Sequence, residues 1–257
     1  MLKKYLKSGV KAMVRKAGFD IVKIDKEESE YPKDIALEKE FLVIYEKCQP
    51  YSATSIESIY SLNKAVEYVV KNNILGDMVE CGVASGGSSM VMAHSLLQLG
   101  DKSRKIYMYD TYAGMPEPGE YDVRYNDKPA HEQWARRQKG DINTWCYGSL
   151  EDVKARMQST GYPMNQIVFI KGDVADTIPK TVPEKISILR LDTDWYESTR
   201  HDLEHLFPLL SKNGILFIDD YGHWKGCRKA VDDYFRENNI HMLLDRVDYT
   251  RRIGIKL

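Results

Sequence analysis

The sequence predicts an α/β fold: a doubly wound, mostly parallel seven-stranded sheet with an antiparallel C-terminal hairpin and an N-terminal helical arm. From about residue 57, short apolar segments typical of buried strands alternate with longer segments whose apolar residues recur at helical spacing. Such alternation gives right-handed βαβ units and a parallel sheet covered on both faces. The last two strands are joined by a short turn at Asp248 and Tyr249, which cannot hold a crossover helix, so they should be antiparallel.

The predicted elements follow one another in order, with no internal repeat. The strands are 77–82, 105–110, 166–173, 186–192, 214–220, 241–247 and 251–257, and the helices are 55–73, 87–99, 149–159, 198–210 and 226–238. We predict a helical arm and linker over 1–50 and one domain over 51–257. Within that domain, residues 111–150 show no regular pattern, and a connection of that length is usually functional, so we interpret it as a lid.

Composition excludes several classes of protein. The 37 basic and 38 acidic residues give a net charge of −1, which argues against a nucleic-acid partner. No apolar run reaches the roughly 18 residues of a membrane span, and the N-terminus lacks the apolar core of a secretory signal. The four cysteines are widely spaced, so we expect free thiols and a cytoplasmic protein.

Residues 1–25 resemble a basic amphipathic helix, with lysines and arginines between apolar positions. One interpretation is peripheral contact with an anionic membrane. We favour an arm that packs on another subunit of a homo-oligomer, a dimer or tetramer, because the apolar face lacks tryptophan and phenylalanine anchors. That apolar face consists of Leu2, Leu6, Val10, Met13 and Val14.

Ligands of a doubly wound sheet bind beyond the carboxyl ends of the strands. The first strand ends in the glycine-rich turn 80–89, which lets the backbone approach a ligand and leads into a helix N-terminus. Its G-x-x-x-G-G spacing differs from the G-x-G-x-x-G of dinucleotide folds, which weighs against an NAD-dependent oxidoreductase. Asp110 ends the second strand, where a carboxylate accepts hydrogen bonds from ribose hydroxyls. Together these features favour S-adenosylmethionine, against the alternative of an ordinary tight connection.

Four aspartates follow two consecutive strands. Asp192 and Asp194 follow one strand, and Asp219 and Asp220 follow the next. If these strands are neighbours, the carboxylates converge, and a hard divalent cation would offset their repulsion. Oxygen ligands select Mg²⁺, Mn²⁺ or Ca²⁺ over zinc. Helix caps and surface acids are the alternative, but two pairs beside aromatic residues favour a metal site.

The segments VECGVASGGSS, YDTYAGMP, LDTDWYEST and IDDYGHWKGCRKAVDDYF resemble the macrocin O-methyltransferase (TylF-type) family over roughly residues 50–257. The resemblance implies a class I, Rossmann-like methyltransferase that uses S-adenosylmethionine and Mg²⁺, or Mn²⁺, to methylate a sugar hydroxyl. The implied substrate is a sugar or glycoside of a surface polysaccharide or natural product, either free or linked to a nucleotide or lipid. Alternatives are methylation of a catechol or other vicinal diol, and a non-catalytic protein that binds S-adenosylmethionine.

The resemblance also implies roles for individual residues. The metal ligands fall on Asp192, Asp219 and Asp220, and the general base falls on Asp194. The lysine base of catechol enzymes has no clear counterpart beside Asp192, so the assignment of the base rests on Asp194. Apart from the resemblance, His223 is a rival base, and a histidine that caps a helix or packs after the DDY turn is an equally good interpretation of it. The cofactor contacts, including a segment that would close over the cofactor, fall on Thr54, Ser55, Glu80, Gly82, Val83, Ser85, Gly86, Gly87, Ser88, Asp110, Thr111, Gly172, Asp173 and Val174.

The predicted lid is rich in aromatic residues that suit a sugar ligand. We expect about half of its large side chains to stack on sugar rings and the others to pack the lid onto the core. Its basic residues Arg136, Arg137 and Lys139 suit a substrate phosphate, although a solvated face is the favoured interpretation. The stacking candidates are Tyr112, Met115, Tyr121, Tyr125, His131, Trp134 and Trp145.

Overall fold

The computed structural model describes residues 14–16 and 31–257. Residues 14–16 are helical, and the remainder of the helix predicted over 1–25 lies outside the described residues. The chain divides into two units, one ending at Lys39 and the other running from Glu40 to Leu257. The first contains a described 3-10 turn, Ile35–Leu37, and the second contains the elements that form the candidate site.

The larger unit is built on a seven-stranded sheet. Its strands are β1 (Asp77–Cys81), β2 (Ile106–Asp110), β5 (Ile167–Lys171), β6 (Ile186–Leu191), β7 (Leu210–Ile218), β8 (Asp245–Arg246) and β9 (Arg252–Ile255), and a separate hairpin holds β3 (Gln138–Lys139) and β4 (Ile142–Asn143). The order is β5-β2-β1-β6-β7-β9-β8. The first five strands are parallel, and β9 is antiparallel to both β7 and β8. The predicted sheet and its C-terminal hairpin are therefore confirmed.

Some of the described helices begin at a residue whose side chain caps the N-terminus. They are α1 (Lys39–Cys48), α2 (Ile56–Lys71), α3 (Gly87–Gln98), α4 (His131–Arg137), α5 (Leu150–Ser159), α6 (Val174–Thr177), α7 (Tyr196–Leu206) and α8 (Lys225–Glu237). The hydroxyl of Ser55 accepts the N–H of Ser58 at the start of α2, and Ser149 caps α5 through Asp152 in the same way. Each such cap contributes about 1 kcal/mol to helix stability.

The core lies between the sheet and the helices, and it positions the ends of the central strands. Leu203 and Leu206 of α7 and Val231 and Tyr234 of α8 pack in one buried cluster with strand residues such as Leu189. Each fully buried leucine contributes about 1.5–3 kcal/mol through the hydrophobic effect. These contacts hold β6 and β7 side by side in a fixed register.

The sheet register explains why the site forms at one edge. Strand β1 lies between β2 and β6, so the direction of strand progression reverses there and leaves a crevice at the carboxyl ends. Leu191 of β6 is paired with Ile218 of β7, and the N–H of Asp219 donates to the carbonyl of Leu191 at 2.9 Å. The residues that follow both strands therefore emerge together at that crevice.

The insertion 111–150 contains more regular structure than the sequence indicated. Helix α4 and the β3–β4 hairpin occupy 131–143. Strands of two residues are too short for an alternating pattern, and α4 has no residue that is fully buried, so neither produces a periodic signal. Strand β8 is likewise shorter than predicted, because only Asp245 and Arg246 pair with β9.

All four cysteines are free thiols, as expected. Cys48, Cys81 and Cys227 are buried, whereas Cys146 is exposed. Within the described residues, no helix has both the length and the hydrophobicity needed to cross a bilayer.

Candidate active site

The turn between β1 and α3 forms one wall of the candidate site. Gly82 has a φ of 84°, and a Cβ at this position would lie 1.9 Å from the backbone oxygen of Asp192. Any side chain would therefore collide with the end of β6, so the close approach requires glycine. The N–H of Asp192 also donates to the carbonyl of Cys81 at 2.8 Å. The glycine turn and the first aspartate of the acidic segment are thus fixed against each other.

Asp110 at the end of β2 holds this turn in place. Its carboxylate accepts the N–H groups of Val83 at 2.7 Å, Ala84 at 2.8 Å and Tyr112 at 2.6 Å. Burial raises the pKa of Asp110, and these hydrogen bonds oppose the rise by favouring the ionised form. Since a carboxylate has about four acceptor positions, Asp110 retains capacity for a ligand hydroxyl. These hydrogen bonds hold the glycine turn against the end of β2.

A first cavity, called here the cofactor cavity, opens at the ends of β1, β2, β5 and β6. It encloses about 620 Å³, including its opening to solvent. The segment 172–174 after β5 borders it, and the N–H of Gly172 donates to the carbonyl of Asp110 at 3.0 Å. Of the predicted cofactor contacts, those that line this cavity are Gly82, Asp110, Thr111, Gly172, Asp173 and Val174.

A second cavity lies beside the first, under residues 51–54. A Cβ at Gly87 would lie 2.6 Å from the carbonyl oxygen of Tyr51, so this segment packs directly on the start of α3. The predicted contacts Thr54, Glu80, Val83, Gly87 and Ser88 line it. Ser85 and Gly86 line neither cavity, and Ser85 instead accepts a hydrogen bond from Arg156 at 2.9 Å through its backbone oxygen.

The carboxyl ends of β6 and β7 carry the acidic cluster. Asp192, Asp194 and Asp220 each place one carboxylate oxygen within 4.8 Å of the others. The carboxylate of Asp219 instead meets two guanidinium groups: that of Arg190, and that of Arg251 at 2.8 and 3.0 Å. The convergence expected from the sequence is present, while the roles of Asp219 as a ligand and Asp194 as a base remain predictions.

Arg190 connects the two halves of the site. Its guanidinium group donates to Glu80 at 2.9 Å, to Asp192 at 2.6 Å and to Asp219, and its side chain is 2% exposed. Glu80 also accepts the hydroxyl hydrogen of Ser89. Burial raises the pKa of Glu80 to about 7, and Arg190 opposes that rise. The carboxylate of Glu80 is thus used to hold Arg190, which in turn orients two aspartates.

The electrostatics of the cluster favour a cation. Burial raises the pKa of Asp194 and of Asp220 well above the usual range, and the neighbouring carboxylates add to the rise. In addition, Oδ2 of Asp220 is buried and has no hydrogen-bond partner in the part of the chain that the structure describes. Unpaired buried carboxylate oxygens are rare because they lose their hydration, so this atom requires a proton or a ligand.

Asp194 occupies the centre of the site. It lines the cofactor cavity, the second cavity and an adjoining cleft. Its backbone has a φ of 60°, in the left-handed region, and its Oδ1 accepts the indole N–H of Trp224 at 2.7 Å. Trp224 packs against Trp195 and Trp145, with ring centroids 5.0 and 5.9 Å away. These aromatic contacts restrict the rotation of Trp224 and therefore fix the orientation of Asp194.

The adjoining cleft, called here the acceptor cleft, is lined by Asp194 and Asp220 of the acidic cluster. His223 lies in it, with Nδ1 2.9 Å from the hydroxyl oxygen of Tyr249. Burial, together with the charges of Arg124 and Arg251, lowers the pKa of His223, which favours a neutral ring. The predicted contacts Thr54 and Ser55 lie at its edge, and Ser55 donates to Asp248 at 2.8 Å.

The insertion contributes fewer side chains to these cavities than the sequence suggested. Trp145 lines the acceptor cleft and Met115 lines the cofactor cavity. Tyr112 is buried beneath the sheet end, and Tyr121 packs on Tyr196 with centroids 4.8 Å apart. Trp134 donates to the carbonyl of Met115 at 2.9 Å, while the other candidates, Tyr125, His131, Arg136, Arg137 and Lys139, line none of the three cavities.

Sequence reasoning missed three residues that organise the site. Arg190 lies inside an apolar strand and was not singled out. A charged residue in such a strand is a signal of a buried ion pair, and Arg190 is paired in register with Glu80. Arg251 precedes the last strand and resembles an ordinary surface residue. Trp224 gave no signal, because its contact with Asp194 depends on how the segment after β7 folds back.

The family model described as Macrocin-O-methyltransferase (TylF) matches residues 47–253. The chain belongs to the TylF family of macrocin O-methyltransferases. It is therefore an O-methyltransferase, as predicted, and the NAD-dependent alternative is wrong.

Curated relatives of this TylF-family chain are O-methyltransferases by name, and the name of one of them includes a rhamnosyl group. An 8-demethyl-8-(2,3-dimethoxy-alpha-L-rhamnosyl)-tetracenomycin-C 4'-O-methyltransferase from Streptomyces olivaceus is 34% identical over 200 residues, which are 78% of this chain and 73% of the relative. A demethyldecarbamoylnovobiocin O-methyltransferase from Streptomyces niveus is 31% identical over 72% of this chain and 67% of the relative.

Among solved structures, the O-methyltransferase NovP is similar, with a TM-score of 0.70 and 28% identity. The match covers 80% of this chain and 82% of NovP. The predicted class I methyltransferase fold of this TylF-family member is therefore confirmed.

Proposed function

We propose that this enzyme transfers a methyl group from S-adenosylmethionine to a sugar hydroxyl, with a divalent cation held by the acidic cluster. One observation carries the proposal: Asp194 lies in the wall shared by the cofactor cavity and the acceptor cleft. A group placed there reaches both a bound methyl donor and a bound hydroxyl. The rhamnosyl group in the name of one relative supports a sugar as the acceptor.

The cofactor cavity suits a nucleoside. Asp110 has acceptor capacity for a ribose hydroxyl, and the segment 172–174 lies where the resemblance expects the adenine. The N-terminus of α3 provides unpaired N–H groups beside the glycine turn. Residues 51–54 border the second cavity and would cover the remainder of the cofactor.

The residues present fit a divalent cation. Asp192, Asp194 and Asp220 offer three clustered oxygen atoms, and Oδ2 of Asp220 has no hydrogen-bond partner among the described residues. Hard oxygen ligands select Mg²⁺ or Mn²⁺. We retain Asp192, Asp219 and Asp220 as the proposed metal ligands and Asp194 as the proposed base. To bind the cation, Asp219 would use a carboxylate oxygen that faces an arginine in this structure. Bound there, the cation would lower the pKa of the acceptor hydroxyl and orient it.

The side chains of this chain supply positioning and proton transfer. The sulfonium methyl group is already activated, so the enzyme mainly aligns it with the acceptor oxygen. As the new carbon–oxygen bond forms, the carbon–sulfur bond breaks, and its electron pair leaves with S-adenosylhomocysteine. Asp194 takes the hydroxyl proton, while Trp224 holds its other oxygen at 2.7 Å. His223 is the alternative proton acceptor in the same cleft.

Radiolabelled methyl transfer tests this function. The enzyme is incubated with methyl-labelled S-adenosylmethionine and a panel of neutral glycosides and catechols, with Mg²⁺ or with EDTA. We expect transfer to a glycoside that stops in EDTA and returns with excess Mg²⁺ or Mn²⁺. Transfer to catechols alone would contradict the sugar assignment, and undiminished turnover in EDTA would contradict the metal.

A further inference from the structure

The acceptor cleft has a cationic feature that methyl transfer itself does not use. Arg124, in the insertion, lines this cleft together with Gln133 of α4, and its guanidinium group donates to the side-chain oxygen of Gln133. The guanidinium carbon lies 5.5 Å from the ring centre of Trp224. Within the described residues, no carboxylate pairs with Arg124, although a guanidinium group offers five N–H donors.

The other arginine of the cleft is paired with two carboxylates. Arg251 donates to Asp219 at 3.0 Å and to Asp248 at 2.9 Å. Burial alone would raise the pKa of Asp248, but hydrogen bonds from Arg251 and Ser55 lower it to about 2, so this pair stays ionised. Among the described residues that line the cleft, Arg124 is thus the arginine that no carboxylate pairs with, and its guanidinium group keeps donors for a ligand.

The backbone fixes Arg124 relative to the acidic cluster. The N–H of Tyr125 donates to the carbonyl of His223 at 2.9 Å, and the N–H of Lys225 donates to the carbonyl of Val123 at 2.9 Å. These bonds and the bridge between Arg124 and Trp224 attach the insertion to the segment directly after β7. The indole of Trp224 contacts both the guanidinium group of Arg124 and the carboxylate of Asp194.

We propose that the acceptor is a sugar bearing an anionic group, of the glycosyl phosphate class, whose phosphate is bound by Arg124 while its hydroxyl lies at Asp194. The inference rests on the proposed function and adds the substrate class. The carboxylates of Asp194 and Asp220 line the same cleft and repel a phosphate, so it is directed to Arg124, whose planar guanidinium donors bind phosphate oxygens in pairs. Tyr249 and Tyr125 lie beside His223 and are 54% and 61% exposed. Their ring faces can stack on the part of the substrate that is attached to the far side of the phosphate.

A binding experiment tests the anion site without an identified substrate. Quenching of tryptophan fluorescence by inorganic pyrophosphate is measured in EDTA, so that no added cation recruits the anion. We expect saturable quenching in the wild type and an affinity about 10- to 100-fold lower in Arg124→Gln, which loses charge-assisted hydrogen bonds. Arg124→Lys should keep part of the affinity. Arg136→Gln, which removes an exposed arginine of the same insertion, is the matched control and should bind like the wild type.

Transfer assays with matched acceptors complete the test. For each hexose, the 1-phosphate and the nucleoside-diphosphate form are compared with the neutral methyl glycoside. Lower KM for either anionic form, lost in Arg124→Gln, supports the proposal and identifies the source of the phosphate. Equal pyrophosphate affinity in wild type and Arg124→Gln, or equal KM for neutral and anionic acceptors, overturns it.

The two proposals fail differently. If neutral glycosides are methylated and Arg124→Gln changes nothing, the enzyme is a sugar methyltransferase without an anion site. If S-adenosylhomocysteine raises the melting temperature but no sugar of either kind is methylated, the sugar assignment itself fails. The melting temperature with S-adenosylhomocysteine also reports whether each variant is folded.

Discussion

The indole N–H of Trp224 donates a 2.7 Å hydrogen bond to Oδ1 of Asp194. This contact joins the segment after β7 to the segment after β6, and it leaves the second carboxylate oxygen of Asp194 available to the acceptor. A carboxylate with one oxygen fixed has few orientations, which is what a general base needs.

Trp224→Phe should therefore lower kcat by roughly 10- to 100-fold, since a hydrogen bond to a charged group is worth about 1.5–3 kcal/mol. The KM for S-adenosylmethionine should change little. Trp195→Phe is the matched control, because that indole belongs to the same aromatic group but donates to the backbone oxygen of Pro116 at 2.9 Å. Equal losses in the two variants, measured by steady-state kinetics, would show that Trp224 acts only through packing.

Asp194→Asn should keep the binding of Mg²⁺ and S-adenosylmethionine but lose about 10²–10⁴ in kcat, the usual contribution of a positioned base. Asp192→Asn should instead weaken metal affinity, so excess Mg²⁺ should restore part of its activity. A Mg²⁺ titration of activity in both variants separates the two roles. Rescue of Asp194→Asn by Mg²⁺ would identify Asp194 as a ligand and shift the base to His223.

Asp110→Ala should abolish the rise in melting temperature that S-adenosylhomocysteine produces. The substitution removes the acceptor for a ribose hydroxyl and also releases the N–H groups of Val83 and Ala84. A ligand that binds the native state raises its stability by mass action, so thermal denaturation reports the affinity. Asp141→Ala, at an exposed position of the insertion, should show the wild-type shift. An unchanged shift in Asp110→Ala would place the nucleoside elsewhere.

Arg190→Met should lower the free energy of unfolding by about 3–5 kcal/mol, because it leaves the buried carboxylate of Glu80 without its cationic partner and leaves Asp219 with Arg251 alone. Arg136→Met removes an exposed pair with Glu132 and should cost about 0.5 kcal/mol or less. Urea denaturation monitored by circular dichroism measures both. A loss below about 1 kcal/mol in Arg190→Met would mean that these carboxylates are protonated in the fold.

Deletion of residues 1–25 should lower the molecular mass seen by light scattering, because the predicted apolar face of that arm needs a partner surface. Catalysis by the remaining domain provides the control for folding. If the shortened protein keeps the wild-type mass, the arm does not assemble the oligomer, and binding to anionic vesicles becomes the interpretation to test.

Much of the fold followed from periodicity, because strands β1, β2, β5, β6 and β7 are short, apolar and bounded by polar turns. The proximity of Asp192 and Asp220 could be predicted from the parallel topology alone, because the carboxyl ends of adjacent parallel strands lie at the same edge of the sheet. The sequence also indicated the glycine turn and Asp110, because both stand at strand ends.

Side-chain partners within the site did not follow from the sequence. Whether Asp219 faces an ion or a guanidinium group depends on Arg251, which is 32 residues away and reaches the site through β9. The contact of Arg124 with Trp224 depends on a single bridge between two loops. Such contacts between distant segments carry no periodic signal.

The left-handed backbone of Asp194 has a consequence for how this protein tolerates change. A glycine would adopt a φ of 60° without strain, and a neutral residue would relieve the repulsion from Asp192 and Asp220. Replacing Asp194 should therefore raise the free energy of unfolding of the cation-free protein. The same substitution removes the group needed for turnover. At this position, selection for stability and selection for turnover favour different residues. The aspartate is the residue that selection for turnover favours.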